Sequence, residues 1–475
     1  MGKVVVSARR HTPVRRTELF SRFGSGDAGG WLFDCSCDVV EPGAAIMLSL
    51  PIDGQTGGPV VVFGRIGRIR YPSLIEIQHD QPWRGRLVVR MTDDPDGTLV
   101  TLQEELDEEG LRWLMRRRGH VLRHASSRTT PLGLLTSKSG SGSLFGAAVD
   151  GMAALAVDEI NAERRHGTAP IELLVGDDAT DSATGVAEAR RLAASGCRTI
   201  LVATASHTYR AVAQALRGTG VLLVYAIMNE GSGAGRLQIQ LGERPLDQIR
   251  TAAPELMRRS DGRRWFLAGN DYIWPRAMHR TARRVLPGQG GQIAGEALVP
   301  LGSVDFTRVI EALHASDADL LLSTFVGQDS AVFQRQLHAA GLSDRYVTLA
   351  PALDESTLAR IGVAASRGVH AVSGYVGTLQ TPANVDLQRR YRERFGPWAA
   401  PLSTLSEAVY EAILLWWTAA RAVGVDDPVA IADTLRSGSH DLPRGRVVLD
   451  GHGRVSQRMR FSRAAGIALQ TLQPG

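Results

Sequence analysis

The chain has 475 residues, which at about 150 residues per domain suggests three compact units, each large enough for its own core. A net charge of +5 raises a nucleic-acid reading, but only two of the 54 basic residues are lysine and the arginines are scattered, so nucleic acid is not an expected partner. Three cysteines, Cys35, Cys37 and Cys197, are too few for a disulfide framework and lack the four-ligand set of a structural zinc site; no metal and no cofactor are expected.

Residues 3–118 read as a self-contained pattern. Val4–Ser7 is a short strand and Arg15–Phe23 a short helix. Strands follow at Trp31–Val39, Ala45–Leu50, Val60–Ile66, Ile69–Gln78, Arg86–Thr92 and Thr98–Glu105. Asp93-Asp94-Pro95-Asp96-Gly97 between the last two is hairpin chemistry. Glu108–Arg118 reads as a closing helix with Leu111, Leu114 and Met115 on one side, and Trp83 and Trp113 read as core or cover residues. Strand, short helix, antiparallel meander and closing helix resemble the helix-grip fold of START-like and polyketide-cyclase-like proteins. The stretches that carry the likeness are Gly29-Gly30-Trp31-Leu32-Phe33 and His79-Asp80-Gln81-Pro82-Trp83-Arg84-Gly85. The resemblance implies an α+β domain over 1–119, and residues 120–130 read as a linker without periodicity.

Beyond the linker, strands alternate with helices, which argues for parallel sheets. Leu132–Leu135, Ile171–Val175, Thr199–Ala203 and Val221–Val224 are strands; Leu144–Asn161, Thr184–Ala194 and Thr208–Arg217 are helices. Small molecules bind beyond the carboxyl ends of such strands, which places Thr204, Ser206 and Tyr225 around one hole. Gly140-Ser141-Gly142-Ser143-Leu144-Phe145-Gly146, with Asp177 ending the next strand, is similar to a dinucleotide fingerprint. Its spacing is one residue too long, and Thr136–Ser139 separate the strand from the first glycine. The second half repeats the alternation, with strands Trp265–Ala268, Gln292–Leu298, Leu320–Ser323, Val347–Leu349 and Gly368–Val372. Helices lie between them near Pro275–Leu286, Asp305–Ser316, Ser330–Ala340 and Glu355–Ile361. Two such halves suggest a two-lobed clamp, crossed at Leu241–Pro245, Gly374–Thr381 and Gly445–Asp450. One lobe then holds 131–241 with 381–444, the other 242–380 with 445–475. Thr404-x-x-Glu407 reads as a capping box that opens a helix carrying Trp416 and Trp417.

These segments resemble the type I periplasmic-binding-protein fold over residues 131–475, and within it the urea and short-chain-amide receptors and the amide sensor of amidase operons. The likeness rests on Ala205-Ser206-His207-Thr208, Glu230-Gly231, Gly269-Asn270-Asp271-Tyr272-Ile273-Trp274-Pro275-Arg276 and Pro300-Leu301-Gly302-Ser303-Val304-Asp305-Phe306. Ser323-Thr324-Phe325-Val326-Gly327 and Glu407-Ala408-Val409-Tyr410 support it. The resemblance implies an α/β protein of two parallel-sheet lobes joined by three crossings. It places Ser206 on the ligand-binding serine, Tyr225 on a pocket wall, and Tyr272 and Trp274 on the aromatic pair of the other lobe. Thr204 and Ile227 stand where the group has a tyrosine and a threonine, and Asn229 where it has another tyrosine. A roomier, less polar pocket near Tyr225 is therefore expected. Ser137, after the first strand of this half, and Phe325 complete the candidate ligand-binding set.

Catalysis is not expected. Ser206 and His207 are sequence neighbours without an orienting acid, and Asp177, Asp178 and Asp181 lack calcium-loop spacing. The leading expectation is non-catalytic binding of a small polar metabolite such as an amide, urea or an amino acid, in a cytosolic sensor. A transport-system receptor and a nucleotide-dependent or helix-grip-cavity enzyme are the alternatives. Partners follow: a regulatory protein or a transporter, and a second copy of the chain. No apolar segment in the first thirty residues reads as a signal peptide, and the apolar helix around Ala412–Val423 contains Arg421 and is too short to span a bilayer. Together with thiol usage this gives a cytoplasmic expectation with no membrane insertion.

Overall fold

The computed structural model describes residues 4–24, 34–37, 39–50, 60–81, 83–106, 129–163, 169–231, 235–397, 399–425, 427–436 and 438–473. The chain divides into two compact units, 1–122 with 390–400, and 123–389 with 401–475.

In the first unit β1 (Val4–Thr12), β2 (Asp34–Ser36), β3 (Ala45–Leu50), β4 (Val60–Arg70), β5 (Leu74–Gln81), β6 (Gly85–Asp94) and β7 (Gly97–Leu106) form one antiparallel sheet. Its order is β1-β7-β6-β5-β4-β3-β2. The helix Arg16–Ser21 sets Leu19 and Phe20 into a core with Ile75, Val89 and Met91. Asp94 pairs with Gly97 around a two-residue turn, the tight hairpin that the aspartate-rich loop encodes. Three expected bounds differ: β1 runs past Ser7 to Thr12, β5 begins at Leu74 and not at Ile69, and β4 is longer. β4 does not stop at Ile66; the pairing slips between Ile66 and Ile69, so Gly67 and Arg68 form a bulge and the strand runs on to Arg70. Trp83 is buried and its indole donates to Glu104 at 3.1 Å. The expected helix Glu108–Arg118, with Trp113, lies outside the described residues, as does most of 120–130. Residues 390–400 group with this unit: Gln81 donates to the Tyr391 hydroxyl at 2.7 Å and accepts the Ala400 N–H at 2.8 Å. Nothing in the sequence pattern announced that excursion.

The second unit holds two lobes. In one, β8 (Thr130–Thr136), β9 (Ile171–Asp177), β10 (Thr199–Ala203), β11 (Leu222–Tyr225) and β12 (Gln238–Gln240) form a parallel sheet in the order β12-β11-β10-β8-β9. Every residue of β10 is buried, as an apolar β-branched run at a sheet centre should be. In the other lobe β13 (Arg264–Asn270), β14 (Gln292–Val299), β15 (Leu320–Thr324), β16 (Val347–Leu349) and β17 (Val369–Ser373) are parallel. They are extended antiparallel by β21 (Arg460–Ala465) and β22 (Ala468–Thr471). A helix the sequence reading lacked, Pro245–Ser260, carries Pro254 inside it. It buries Ile249, Ala252, Ala253, Leu256 and Met257 against Trp265.

The chain passes from β12 in the first lobe to the helix Pro245–Ser260 in the second, and from β17 in the second lobe back to the helix Thr404–Val423 in the first. The third passage does not fall at Gly445–Asp450. β18 (Ser439–Leu442), β19 (Gly445–Leu449) and β20 (Val455–Ser456) form a small sheet tied to the first lobe by a Gln240–Arg454 bridge, so the chain crosses between Ser456 and Arg460. The passages are knitted together. Glu243 accepts the Gly374 N–H at 2.8 Å and the Thr404 hydroxyl, and buried Arg444 joins Glu411 and Glu407 to Gln457 at 2.7 Å. The capping box is shifted by one residue: Ser403 caps the helix Thr404–Val423 with Ser406, and Glu407 faces Arg444 instead.

Candidate functional site

The carboxyl ends of β8, β10 and β11 meet those of β13, β15 and β16 around a cavity of about 50 Å³. Ser137, Ser206, Tyr225 and Ile227 line it from one lobe, and Tyr272, Trp274, Val326 and Asp354 from the other. The lobes touch. The Ser206 hydroxyl accepts the Trp274 N–H at 3.1 Å, the Gln328 N–H donates to Ser141 O at 3.3 Å, and the His207 and Tyr272 rings meet edge to face at 5.4 Å.

Local sequence explains the polarity of this space. Three helices, Ser206–Ala215, Ile273–Val285 and Gly327–Ala339, begin at cavity-lining residues Ala205, Tyr272 and Val326, and none of these three residues caps its own helix; Ser206 takes the Trp274 N–H and the Ser141 carbonyl takes the Gln328 N–H. The first turn of a helix has N–H groups without intrahelical partners and the positive end of the helix dipole. The cavity is thus ringed by donors. Ser206 accepts from Trp274, so its own proton is left to donate. The helix starts at Ser206, two residues before the expected Thr208, which adds the Ser206 N–H to that set.

The sequence-predicted residues separate into two groups. Ser137, Ser206, Tyr225, Ile227, Tyr272 and Trp274 are brought together. Thr204 is buried but does not line the cavity; its carbonyl accepts the Tyr225 hydroxyl at 3.0 Å, which fixes the ring that stacks on Tyr209. Phe325 packs in the core of its lobe, 4.9 Å from the Phe306 ring and 4.5 Å from Phe333, and the next residue, Val326, reaches the cavity instead. The pocket is also not roomy: Met228 and Leu405 help close it. Burial pushes the Tyr225 and Tyr272 phenols well up, so both stay neutral.

Sequence reasoning missed Asp354. Its Oδ1 accepts the Thr357 N–H at 2.9 Å as the cap of helix Glu355–Ile361, while Oδ2 makes no hydrogen bond among the described residues. Burial raises its carboxyl above the usual range, against the lowering effect of Thr357. A carboxylate after a strand end, Leu349, and before a short helix was the available signal. Near Ser137, burial pushes Asp178 up to about 6.

The glycine loop serves the protein itself. Asp177 accepts the Lys138, Ser139 and Ala179 N–H groups at 2.9, 3.2 and 3.0 Å and the Ser139 hydroxyl at 2.7 Å, which leaves no free face for a ribose. At Gly140, φ is +77° and a Cβ would lie 2.4 Å from Ala179 O, so glycine is required by close backbone approach. Among the described residues no group of three or more His, Cys, Asp or Glu is arranged to hold a metal, and no helix is long and apolar enough to cross a membrane.

Two parallel-sheet lobes, three passages between them and a small donor-ringed cavity define a two-lobed small-molecule binding protein. The chain belongs to the periplasmic binding protein family, whose sequence model matches residues 129–466. Among similar solved structures is an amino-acid ABC transporter substrate-binding protein from Pseudomonas fluorescens Pf-5. It is 19% identical, with 74% of this chain and 96% of that chain covered and a TM-score of 0.65. A solute-binding protein of an ABC transporter from R. palustris, in complex with benzoate, is 17% identical over 72% and 95%, TM-score 0.64. LivJ, a branched-chain amino-acid transporter substrate-binding protein from Streptococcus pneumoniae in complex with isoleucine, is 16% identical over 73% and 100%, TM-score 0.64. The cytoplasmic expectation is overturned by this membership, which indicates a periplasmic or extracellular location. Family members bind ligands and are in general not enzymes.

Proposed function

We propose that the chain is the substrate-binding component of a transport system for small carboxylates that also carry a hydrogen-bond donor, with α-amino acids the leading class. The observation that carries this reading is the opposition inside one cavity: the N-termini of three helices and the Ser206 hydroxyl on one side, the spare oxygen of Asp354 on another. Helix N-termini favour an anion, and a buried acid with an unused oxygen favours a cation or donor. Tyr225, Tyr272 and Trp274 supply apolar walls. Urea and simple amides lack the anionic end that the donors complement. The transport role rests on the family and on the similar proteins' own roles; the regulator that the sequence suggested has no such support. Binding without turnover follows from a site that offers donors, walls and one acid but no activated nucleophile.

For the amino-terminal unit we propose a helix-grip domain, supported by the seven-stranded antiparallel sheet in the order β1-β7-β6-β5-β4-β3-β2 and the short helix after β1.

The test is a titration-calorimetry panel of L-amino acids, their carboxamides, benzoate, acetamide and urea. An α-amino acid should bind best, and its carboxamide should lose at least tenfold. Binding of acetamide or urea with no response to any carboxylate would refute the proposal.

A further inference from the structure

Outside the cleft, a second concavity of about 1050 Å³ runs along the outer side of the two helices that meet at Ser206 and Trp274. Helix Ser206–Ala215 and the turn after it give it Arg210 and Arg217; helix Ile273–Val285 gives it Arg280 and Arg284. All four are exposed, and none makes an ion pair among the described residues. Among the described residues, Glu230 is the one carboxylate lining the groove.

The surrounding arginines behave differently. Arg276 pairs with Asp271, Arg283 with Glu296 and Arg244 with Asp247. Next to these paired neighbours, the groove itself holds four arginines without an ion pair among the described residues, two from each lobe. We infer that this groove docks an acidic segment of a partner protein, and that it does so only with the lobes closed, because closure is what assembles the four guanidiniums. Guanidinium forks match carboxylates two bonds at a time, which suits Asp and Glu side chains on a short segment. A nucleic-acid backbone or an anionic membrane calls for positive charge spread over a wide face, and here the flanking cations are spent on internal partners. Alanines 213 and 277 line the trough between the cations and leave space for a chain to lie in it. By linkage, a partner that reads both lobes stabilises the closed form and strengthens retention of whatever the cleft holds. The inference rests on the closed two-lobe arrangement and not on the identity of the cleft ligand.

The experiment is fluorescence anisotropy of a fluorescein-labelled deca-glutamate peptide titrated with the full chain, at low and at physiological salt. Arg210→Glu in one lobe and Arg280→Glu in the other should each weaken binding by about fivefold or more, and added salt should weaken it further. Arg367→Glu, an exposed arginine outside the groove, should change nothing. If either reversal impairs folding by circular dichroism, the neutral pair Arg217→Gln and Arg284→Gln gives the same reading. A response confined to one lobe, no response to any groove variant, or tighter and equally groove-dependent binding of a single-stranded oligonucleotide would overturn the inference. Loss of amino-acid binding in the cleft with the peptide response intact would refute the proposed function alone.

Discussion

Replacing Ser206 with alanine tests the link between the cleft and lobe closure. Its hydroxyl accepts the Trp274 N–H at 3.1 Å, and both residues are buried. Trp274 lies in the first turn of its helix, so this N–H has no intrahelical partner. In an open protein water would satisfy it; in the closed variant nothing would. A buried donor left unsatisfied costs about 1–3 kcal/mol, and that cost falls on the closed, ligand-holding state alone. Affinity for the best-binding amino acid should therefore drop by about five- to 150-fold, with the direct loss of the Ser206 donor acting in the same direction. The assay is titration calorimetry, with thermal unfolding of the free protein as the control for global stability. Thr204→Val is the matched comparison, since Tyr225 uses the Thr204 carbonyl and not its side chain; it should bind within about twofold of wild type. Equal losses at the two positions, or none at Ser206, would refute the reasoning.

Other outcomes follow from the same structure. At Gly327, φ is +51° and an added Cβ would lie 2.4 Å from Ser141 O of the opposite lobe. Gly327→Ala should therefore hold the lobes apart, and small-angle scattering should show no contraction on adding an amino acid that contracts the wild type. Glu355 is buried, accepts the Gly377 N–H at 2.8 Å and titrates at about 8 instead of 4.5. Above about pH 4.5 the unfolded chain loses a proton that the folded chain keeps, so this group's contribution to stability falls until about pH 8 and is flat beyond. Urea melts across that window should show wild type losing stability relative to Glu355→Gln, and a parallel pair of curves would contradict the assignment. Arg444→Ala removes the cation buried between Glu407 and Glu411 and should cost about 3–5 kcal/mol in urea denaturation; a loss under about 1 kcal/mol would show that the passages do not depend on it.

How much was legible depends on how local the cause is. Thr199–Ala203 announced a central strand because burial on both faces demands an unbroken apolar run, and the strand-end rule then located Ser206 and Tyr225 without any contact information. Which side a residue takes just past a strand end is decided by packing. Phe325 and Val326 are adjacent, and only the second reaches the cavity because the Phe306 and Phe333 rings claim the first. Asp354 was not legible because its role comes from an oxygen left unused in three dimensions, while its sequence context is that of an ordinary helix cap. The third passage was misplaced because Gly445 marks a hairpin inside a small sheet, whose ties to the first lobe, a bridge at Gln240 and the Arg444 ion pairs, are long-range. Pro254 concealed a helix whose apolar face is otherwise regular. The location was misread because thiol count and the first thirty residues were weighed without the family that residues 129–466 define.

The most direct test of the account is a crystal structure of the protein with the amino acid that binds it best. The account predicts the ligand in the cavity between the lobes, its carboxylate against Ser206 and the helix starts, and its ammonium on Asp354 Oδ2. A ligand seated in the amino-terminal unit, or one in the cleft that leaves both Ser206 and Asp354 untouched, would contradict it.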